Sequence, residues 1–95
     1  MKYKQRPGIV YTEICGERYL IPTRAASESC PYAIRADLFI SVIWGMVGKD
    51  QPVDAIYHTF GKFMRQPEDK VKLFVDRLLS MLCRKGVLLA SEDET

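Results

Sequence analysis

The amino-acid sequence predicts an α+β domain in which a small antiparallel sheet precedes three helices. Residues 8–35 contain short segments rich in β-branched and aromatic residues, separated by turn-forming residues. From Asp37 onward the apolar residues recur with the period of an amphipathic helix. Strands that come first and helices that follow are typical of a domain whose helices pack on one face of the sheet. The 95 residues suit one such domain with a single core.

The first two strands are predicted at residues 9–14 and 18–22, where they form a hairpin. The Cys15-Gly16 pair between them is a turn signal, because glycine adopts a positive φ without strain. Pro22 has no backbone N–H, so it either ends the second strand or lies at an edge of the sheet. These features together predict a tight antiparallel pair.

A polar loop at residues 23–31 leads to the third strand and the helices. The third strand is short and is predicted at about residues 32–35. Asp37 is expected to cap the first helix, since its carboxylate accepts hydrogen bonds from free backbone N–H groups, and Gly48 is a natural C-terminal stop. The predicted helices lie near residues 37–47, 52–61 and 67–85.

The third helix is apolar over about half of its circumference, which is more than a surface helix needs. Met81 and Cys83 widen its apolar face on both sides. Two explanations stay open: the extra width binds a partner, or it packs beneath the N-terminal segment. The second and third helices also resemble a helix-turn-helix pair, which favours a winged-helix-like arrangement. The main apolar residues of the third helix are Val71, Phe74, Val75, Leu78, Leu79 and Leu82.

Composition and charge exclude several classes of protein. With 47% hydrophobic and 27% charged residues, the chain is globular rather than disordered. The net charge of +2 is too small to indicate a nucleic-acid or anionic-membrane partner. No apolar run approaches the roughly 20 residues of a membrane span, and no signal-type apolar core follows the basic N-terminus. We therefore expect a cytoplasmic protein.

The sequence holds no recognisable metal-binding or catalytic set of residues. Cys15, Cys30 and Cys83 are odd in number and widely spaced, which argues against a disulfide framework and against a metal site. Phosphate-binding glycine-rich loops, nucleophile elbows and zinc-protease motifs are missing. Asp54 and His58 are one helical turn apart, and we interpret them as a surface pair rather than an acid/base pair. We expect no cofactor, no bound metal and no turnover by this chain alone.

Five segments of the chain carry a resemblance to a known family. They are Arg6-Pro7-Gly8-Ile9-Val10, Arg18-Tyr19-Leu20, Ile34-Arg35-Ala36-Asp37 before the Trp-containing helix, Leu78-Leu79 with Leu82, and Lys85-Gly86-Val87-Leu88. They resemble the PqqD-like family, the precursor-peptide recognition elements of ribosomally synthesised, post-translationally modified peptide pathways. The resemblance covers about residues 6–89 of a single domain at 1–95, whose acidic tail at 90–95 is expected to fray. The loop at residues 23–31 departs from the family, because it is longer than the family's tight connection.

The resemblance implies a peptide-binding chaperone rather than an enzyme. In the family, the leader of a precursor peptide adds as an extra strand beside the third strand and lies in a groove against the third helix. The leader is thereby delivered to a modifying enzyme, often a radical S-adenosylmethionine enzyme. The implied partners are a precursor peptide and a peptide-modifying enzyme, with no nucleic acid and no membrane, and the protein is expected to be a monomer or a dimer.

The resemblance also implies where a leader would bind. An edge strand offers unpaired N–H and C=O groups for main-chain bonding, while alternate side chains supply selectivity. On the third helix, the line expected to face the core is Val71, Phe74, Leu78 and Leu82. Leu79 and Cys83 on the neighbouring line would take apolar leader side chains, and Lys72 would meet an acidic residue. Alternatively, Val75 and Leu79 belong partly to the core. The expected peptide-binding residues are Tyr32, Ala33, Ile34, Arg35, Lys72, Val75, Asp76, Leu79 and Cys83.

The main alternative is a DNA-binding winged helix, in which the third helix would be the recognition helix. The N-terminal turn of such a helix approaches base edges and phosphates. Here that turn carries Glu68 and Asp69, which phosphates repel. Residues 67–85 hold five cationic and three acidic side chains, a weak basic footprint for a DNA-binding protein.

Overall fold

The computed structural model describes residues 2–91, and it confirms the α+β class with a three-stranded antiparallel sheet followed by three helices. Residues 90 and 91 of the predicted tail lie in a strand, and residues 92–95 lie outside the described part of the chain. The strands are β1 (Lys2–Gln5), β2 (Ile9–Ile14), β3 (Glu17–Pro22), β4 (Ile34–Arg35) and β5 (Leu88–Ser91). The helices are α1 (Leu38–Gly48), α2 (Val53–Met64) and α3 (Glu68–Arg84).

The three-stranded sheet has the order β2-β3-β4, with both pairs antiparallel. The β2–β3 turn takes the predicted Cys15-Gly16 pair through the left-handed region, at φ angles of 51° and 83°. Positive φ at both central residues is the condition for a two-residue hairpin turn. The strand expected at about 32–35 is confirmed only for Ile34 and Arg35, which pair with Leu20 and Tyr19. Strand β4 is therefore a short edge strand.

A second, two-stranded sheet joins the two ends of the described chain. Strand β1 pairs antiparallel with β5, so that Lys2 lies opposite Ser91 and Gln5 lies opposite Leu88. The Gln5 side chain donates a 2.9 Å hydrogen bond from Nε2 to the Trp44 carbonyl of α1. The sequence pattern predicted neither strand, because each is only four residues long and its partner is more than 80 positions away.

The helix termini follow the local signals, with one exception. The predicted N-cap is confirmed: the Asp37 carboxylate accepts a 2.9 Å hydrogen bond from the Ile40 backbone N–H. Helix α1 also ends at Gly48, as expected. The prediction that α2 ends at Gly61 was wrong, because the helix continues to Met64 and Arg65 then takes a left-handed φ of 54°. No neighbouring atom lies within 4 Å of the Gly61 Cβ position, and an isolated glycine is tolerated inside a helix.

The loop at residues 23–31 is anchored to the protein interior at two positions, while its other side chains are exposed. Its Ala26 and Cys30 side chains are buried, and the Cys30 N–H donates a 2.8 Å hydrogen bond to the Ala26 carbonyl. The Thr23 hydroxyl donates a 2.6 Å hydrogen bond to the Gly8 carbonyl. These contacts give the long connection a defined path from β3 to β4.

Candidate functional site

The outer edge of β4 presents backbone groups that no described strand pairs with. The Ala36 N–H donates a 2.7 Å hydrogen bond to the Arg18 carbonyl of β3. Because backbone groups alternate in direction along a strand, the N–H and C=O of Arg35 point to the opposite side, away from β3. Next to this edge, the Tyr32 side chain is 78% exposed. The strand half of the predicted site is therefore accessible to an added strand.

Helix α3 buries a different line of residues from the one predicted. Val71, Val75, Leu79 and Leu82 have exposed fractions of 2%, 0%, 0% and 1%. Phe74 and Leu78, which were expected to face inward, are only half-buried. The predicted orientation of α3 about its axis is therefore corrected, because Phe74 and Leu78 lie at the edge of the core. The alternative in which Val75 and Leu79 belong to the core is confirmed. A fully buried Leu79 side chain offers no surface to a peptide in this conformation.

The remaining predicted residues of α3 lie on the flank that faces α2 and β1. The Tyr57 hydroxyl of α2 donates a 2.5 Å hydrogen bond to Asp76 Oδ1. The Lys72 ammonium lies 5.7 Å from the centroid of the Tyr57 ring and 3.2 Å from a Glu68 carboxylate oxygen. Burial, followed by the hydrogen bond and charge of Asp76, raises the pKa of Tyr57. These polar side chains are thus engaged with one another.

Strand β1 approaches this same flank through Tyr3. Burial raises the pKa of Tyr3, and Cys83 and Asp76 raise it further through their charges. Burial also raises the pKa of the half-buried Cys83 thiol. A raised thiol pKa lowers the fraction of reactive thiolate, which fits a packing role for this cysteine.

The opposite flank of α3 is half-buried and apolar, and it lies toward the segment that follows β4. It consists of Phe74, Leu78 and Met81. The Phe74 ring packs edge-on against Phe39, with ring centroids 5.2 Å apart. Phe39 is in the first turn of α1, four residues after Arg35 at the end of β4. These contacts indicate that the predicted binding residues of β4 lie on one side of the buried line of α3, whereas Lys72, Asp76 and Cys83 lie on the other side. We call Phe74, Leu78 and Met81 the open flank.

A cleft of about 670 Å³ separates the outer surfaces of α2 and α3, and it contains the predicted surface pair Asp54 and His58. No hydrogen bond or salt bridge joins these two side chains in the described structure. Within residues 2–91, no three metal-ligating side chains come together. The three cysteines are free. In the same residues, none of the helices has the length and apolarity to cross a membrane.

Comparison with known proteins yields a solved structure with the same fold. No protein-family model matches the sequence, and no curated protein matches it significantly. The structure of TbiB1 in complex with the TbiA(β) leader peptide matches with a TM-score of 0.75 and 18% sequence identity. The match covers 95% of this chain and 99% of that one. The chain therefore has the α+β fold predicted from the order of its strands and helices, and it shares that fold with TbiB1.

Proposed function

We propose that this protein binds the leader of a ribosomally made precursor peptide as an added strand on β4. The observation that carries the proposal is the free edge of β4, which ends four residues before Phe39, whose ring packs against Phe74 of the open flank. A protein of the same fold, TbiB1, has been solved with a leader peptide. Bound in this way, the leader holds its precursor near a peptide-modifying enzyme, for instance of the radical S-adenosylmethionine type. The protein itself carries out no chemistry.

Strand addition explains how such a site combines affinity with selectivity. The outward N–H and C=O of Arg35 bond the main chain of the leader, whatever its sequence. Leader side chains on the inner side contact the open flank, where half-buried Phe74, Leu78 and Met81 accept apolar groups. Fully buried Val75 and Leu79 support this flank from beneath rather than touching the peptide. The proposed site does not include Lys72, Asp76 and Cys83, which lie on the other flank of α3.

Chemical-shift mapping locates the site directly. Short open reading frames next to the gene supply candidate leaders, which are titrated as synthetic peptides into isotope-labelled protein. We expect the largest shifts at Tyr32 to Arg35 and along the open flank. Shifts centred on Lys72, Asp76 and Cys83 would instead support the binding site predicted from the sequence. Shifts confined to α1 and α2 would contradict both placements.

A proline substitution tests the main-chain bond itself. Arg35→Pro removes the outward N–H that a bound strand needs, and edge strands tolerate proline at such positions. Arg35→Ala is the matched control, because both variants lose the 3.1 Å ion pair between Arg35 and Glu17. We expect Arg35→Pro to weaken leader binding about tenfold more than Arg35→Ala, close to the strength of one hydrogen bond. Equal affinities in calorimetry, with both variants folded, would argue against strand addition.

A further inference from the structure

Three exposed cations run along α3 beside the open flank without acidic partners. Lys70, Arg77 and Arg84 are spaced by seven residues, which places them in one row on the helix surface. Within residues 2–91, none of the three forms a salt bridge; the ion pairs present use Arg18, Arg35 and Lys72 instead. We call these three residues the basic row.

No acidic residue of α3 lies three or four positions from a member of the basic row, the separations at which side chains are neighbours on a helix surface. Glu68 pairs with Lys72, and Asp76 accepts the hydrogen bond from Tyr57, both on the flank toward α2. Helix stability explains only one member of the row, Arg84 in the last turn, where a cation is favourable at the negative end of the helix dipole. A cation in the first turn, such as Lys70, is unfavourable at the positive end of the helix dipole.

Cationic and apolar residues alternate along this side of α3. Phe74 lies four residues after Lys70 and three before Arg77, and Met81 lies four after Arg77 and three before Arg84. Residues at these separations are neighbours on a helix surface. The row spans about 21 Å of helix at 1.5 Å per residue, a length that about six residues of extended peptide cover. A strand lying on the open flank would thus meet an apolar floor with a positive rim.

We infer that the peptide segment bound by this protein is acidic, with Asp or Glu residues set among apolar ones. The inference rests on the proposed function, because it assigns the charge of the peptide that the β4 edge receives. Carboxylates on the peptide would supply the partners that the basic row lacks. Rim charges of this kind act mainly on association rate and on the choice of partner.

Duplex DNA fits the same surface less well. Phosphates at the N-terminal turn of α3 would meet Glu68 and Asp69, the first two acidic residues of that helix. Phe74 and Met81 interrupt the row with apolar surface that a phosphate backbone does not use. Apolar residues between cations suit a peptide with mixed acidic and apolar side chains.

Selection from a random peptide library tests the inference without knowledge of the natural leader. An mRNA-displayed library is selected on immobilised full-length protein, and the enriched peptides are sequenced. We expect Asp and Glu to be enriched over Lys and Arg next to apolar residues. A selected acidic peptide is then titrated by fluorescence anisotropy beside its Asn/Gln counterpart, and random duplex DNA serves as a third probe.

Charge-reversal variants connect the selected peptides to the basic row. We expect Arg77→Glu, and likewise Lys70→Glu, to lower the affinity for the acidic peptide about fivefold. The affinity for the neutral counterpart should stay almost unchanged. Lys72→Glu is the matched control, with the same charge change on the opposite flank and little expected effect. Raising ionic strength from about 0.1 M to about 1 M shortens the Debye length from about 10 Å to about 3 Å. It should therefore lower the affinity for the acidic peptide but not the affinity for its Asn/Gln counterpart.

The outcomes separate this inference from the proposed function. Peptides that bind the β4 edge with no acidic enrichment and no salt dependence would overturn the acidic assignment alone. Acidic peptides that respond to Lys72→Glu but not to Arg77→Glu would overturn the role of the basic row. Absence of any selected peptide, or tighter binding of duplex DNA than of peptide, would overturn both. Thermal melting of each variant confirms that a loss of binding is not a loss of fold.

Discussion

At the residue scale, Tyr57 connects α2 to α3 through its hydroxyl group. The hydroxyl donates to Asp76, and burial together with that carboxylate raises the pKa of the phenol above its ordinary value of 10.0. A raised pKa means that the folded protein holds the phenolic proton more tightly than the unfolded chain does. The associated stability is fully present below pH 10.0 and is lost as pH rises through the folded pKa.

We expect Tyr57→Phe to lower the free energy of unfolding at neutral pH by about 1 kcal/mol, the typical worth of one hydrogen bond. The variant should also lose less stability than the wild type between neutral pH and strongly alkaline pH. Tyr3 and Tyr19 also have raised pKa values, so a smaller alkaline loss remains. Urea denaturation across the pH range measures both effects. Tyr11→Phe, which removes an exposed hydroxyl with no described partner, is the control, and equal effects of the two substitutions would contradict this account.

At the element scale, the end of α3 is held against the loop at residues 23–31 by a close backbone contact. Gly86 has a φ of 86°, and a Cβ at this position would overlap the Ser29 carbonyl. The Arg6 side chain also donates a hydrogen bond to the Gly86 carbonyl. Only glycine satisfies both the left-handed backbone and the lack of space.

We therefore expect Gly86→Ala to destabilise the protein by roughly 3 kcal/mol or more, from backbone strain and overpacking together. Gly16→Ala separates the two causes. Its φ of 83° is nearly the same, yet nothing lies within 4 Å of its Cβ position, so it should cost only about 1–2 kcal/mol. Chemical denaturation measures the difference, and equal losses would show that the contact with Ser29 relaxes freely.

At the scale of the whole molecule, a cluster of four phenylalanine rings joins the three helices. Phe60 of α2 is completely buried, with ring centroids 5.8 Å from Phe39 of α1 and 6.1 Å from Phe74 of α3. Phe63 of α2 also touches the Phe60 and Phe39 rings, at 5.0 Å and 5.9 Å, but is 43% exposed. The same cluster thus holds the open flank of α3 near the start of α1.

We expect Phe60→Ala to cost about 3–5 kcal/mol, since it leaves a cavity where the three helices meet. Phe63→Ala removes a ring of the same size from the same cluster and should cost only about 1 kcal/mol, near the worth of its ring contacts. Calorimetric unfolding distinguishes the two. A loss for Phe63→Ala as large as that for Phe60→Ala would mean that exposure does not govern the energetics of this cluster.

The sequence by itself determined the fold class, the hairpin, the Asp37 cap and the existence of three helices. Each depends on signals within a few residues of one another, such as apolar period, turn glycines and capping side chains. The resemblance to the PqqD-like family added the expectation that the strand before α1 lies at an edge. That expectation agrees with the sheet order β2-β3-β4.

Only the tertiary structure decided which flank of α3 lies toward β4. The apolar arc of α3 extends on both sides of its buried line, so its period alone cannot tell the flank with Lys72 and Cys83 from the flank with Phe74 and Met81. The tertiary contacts distinguish the two flanks, because Lys72 lies over the Tyr57 ring of α2 and Phe74 packs against Phe39 of α1. The β1–β5 pair escaped prediction for the same physical reason: its stability comes from chain segments that are distant in sequence and meet only on folding.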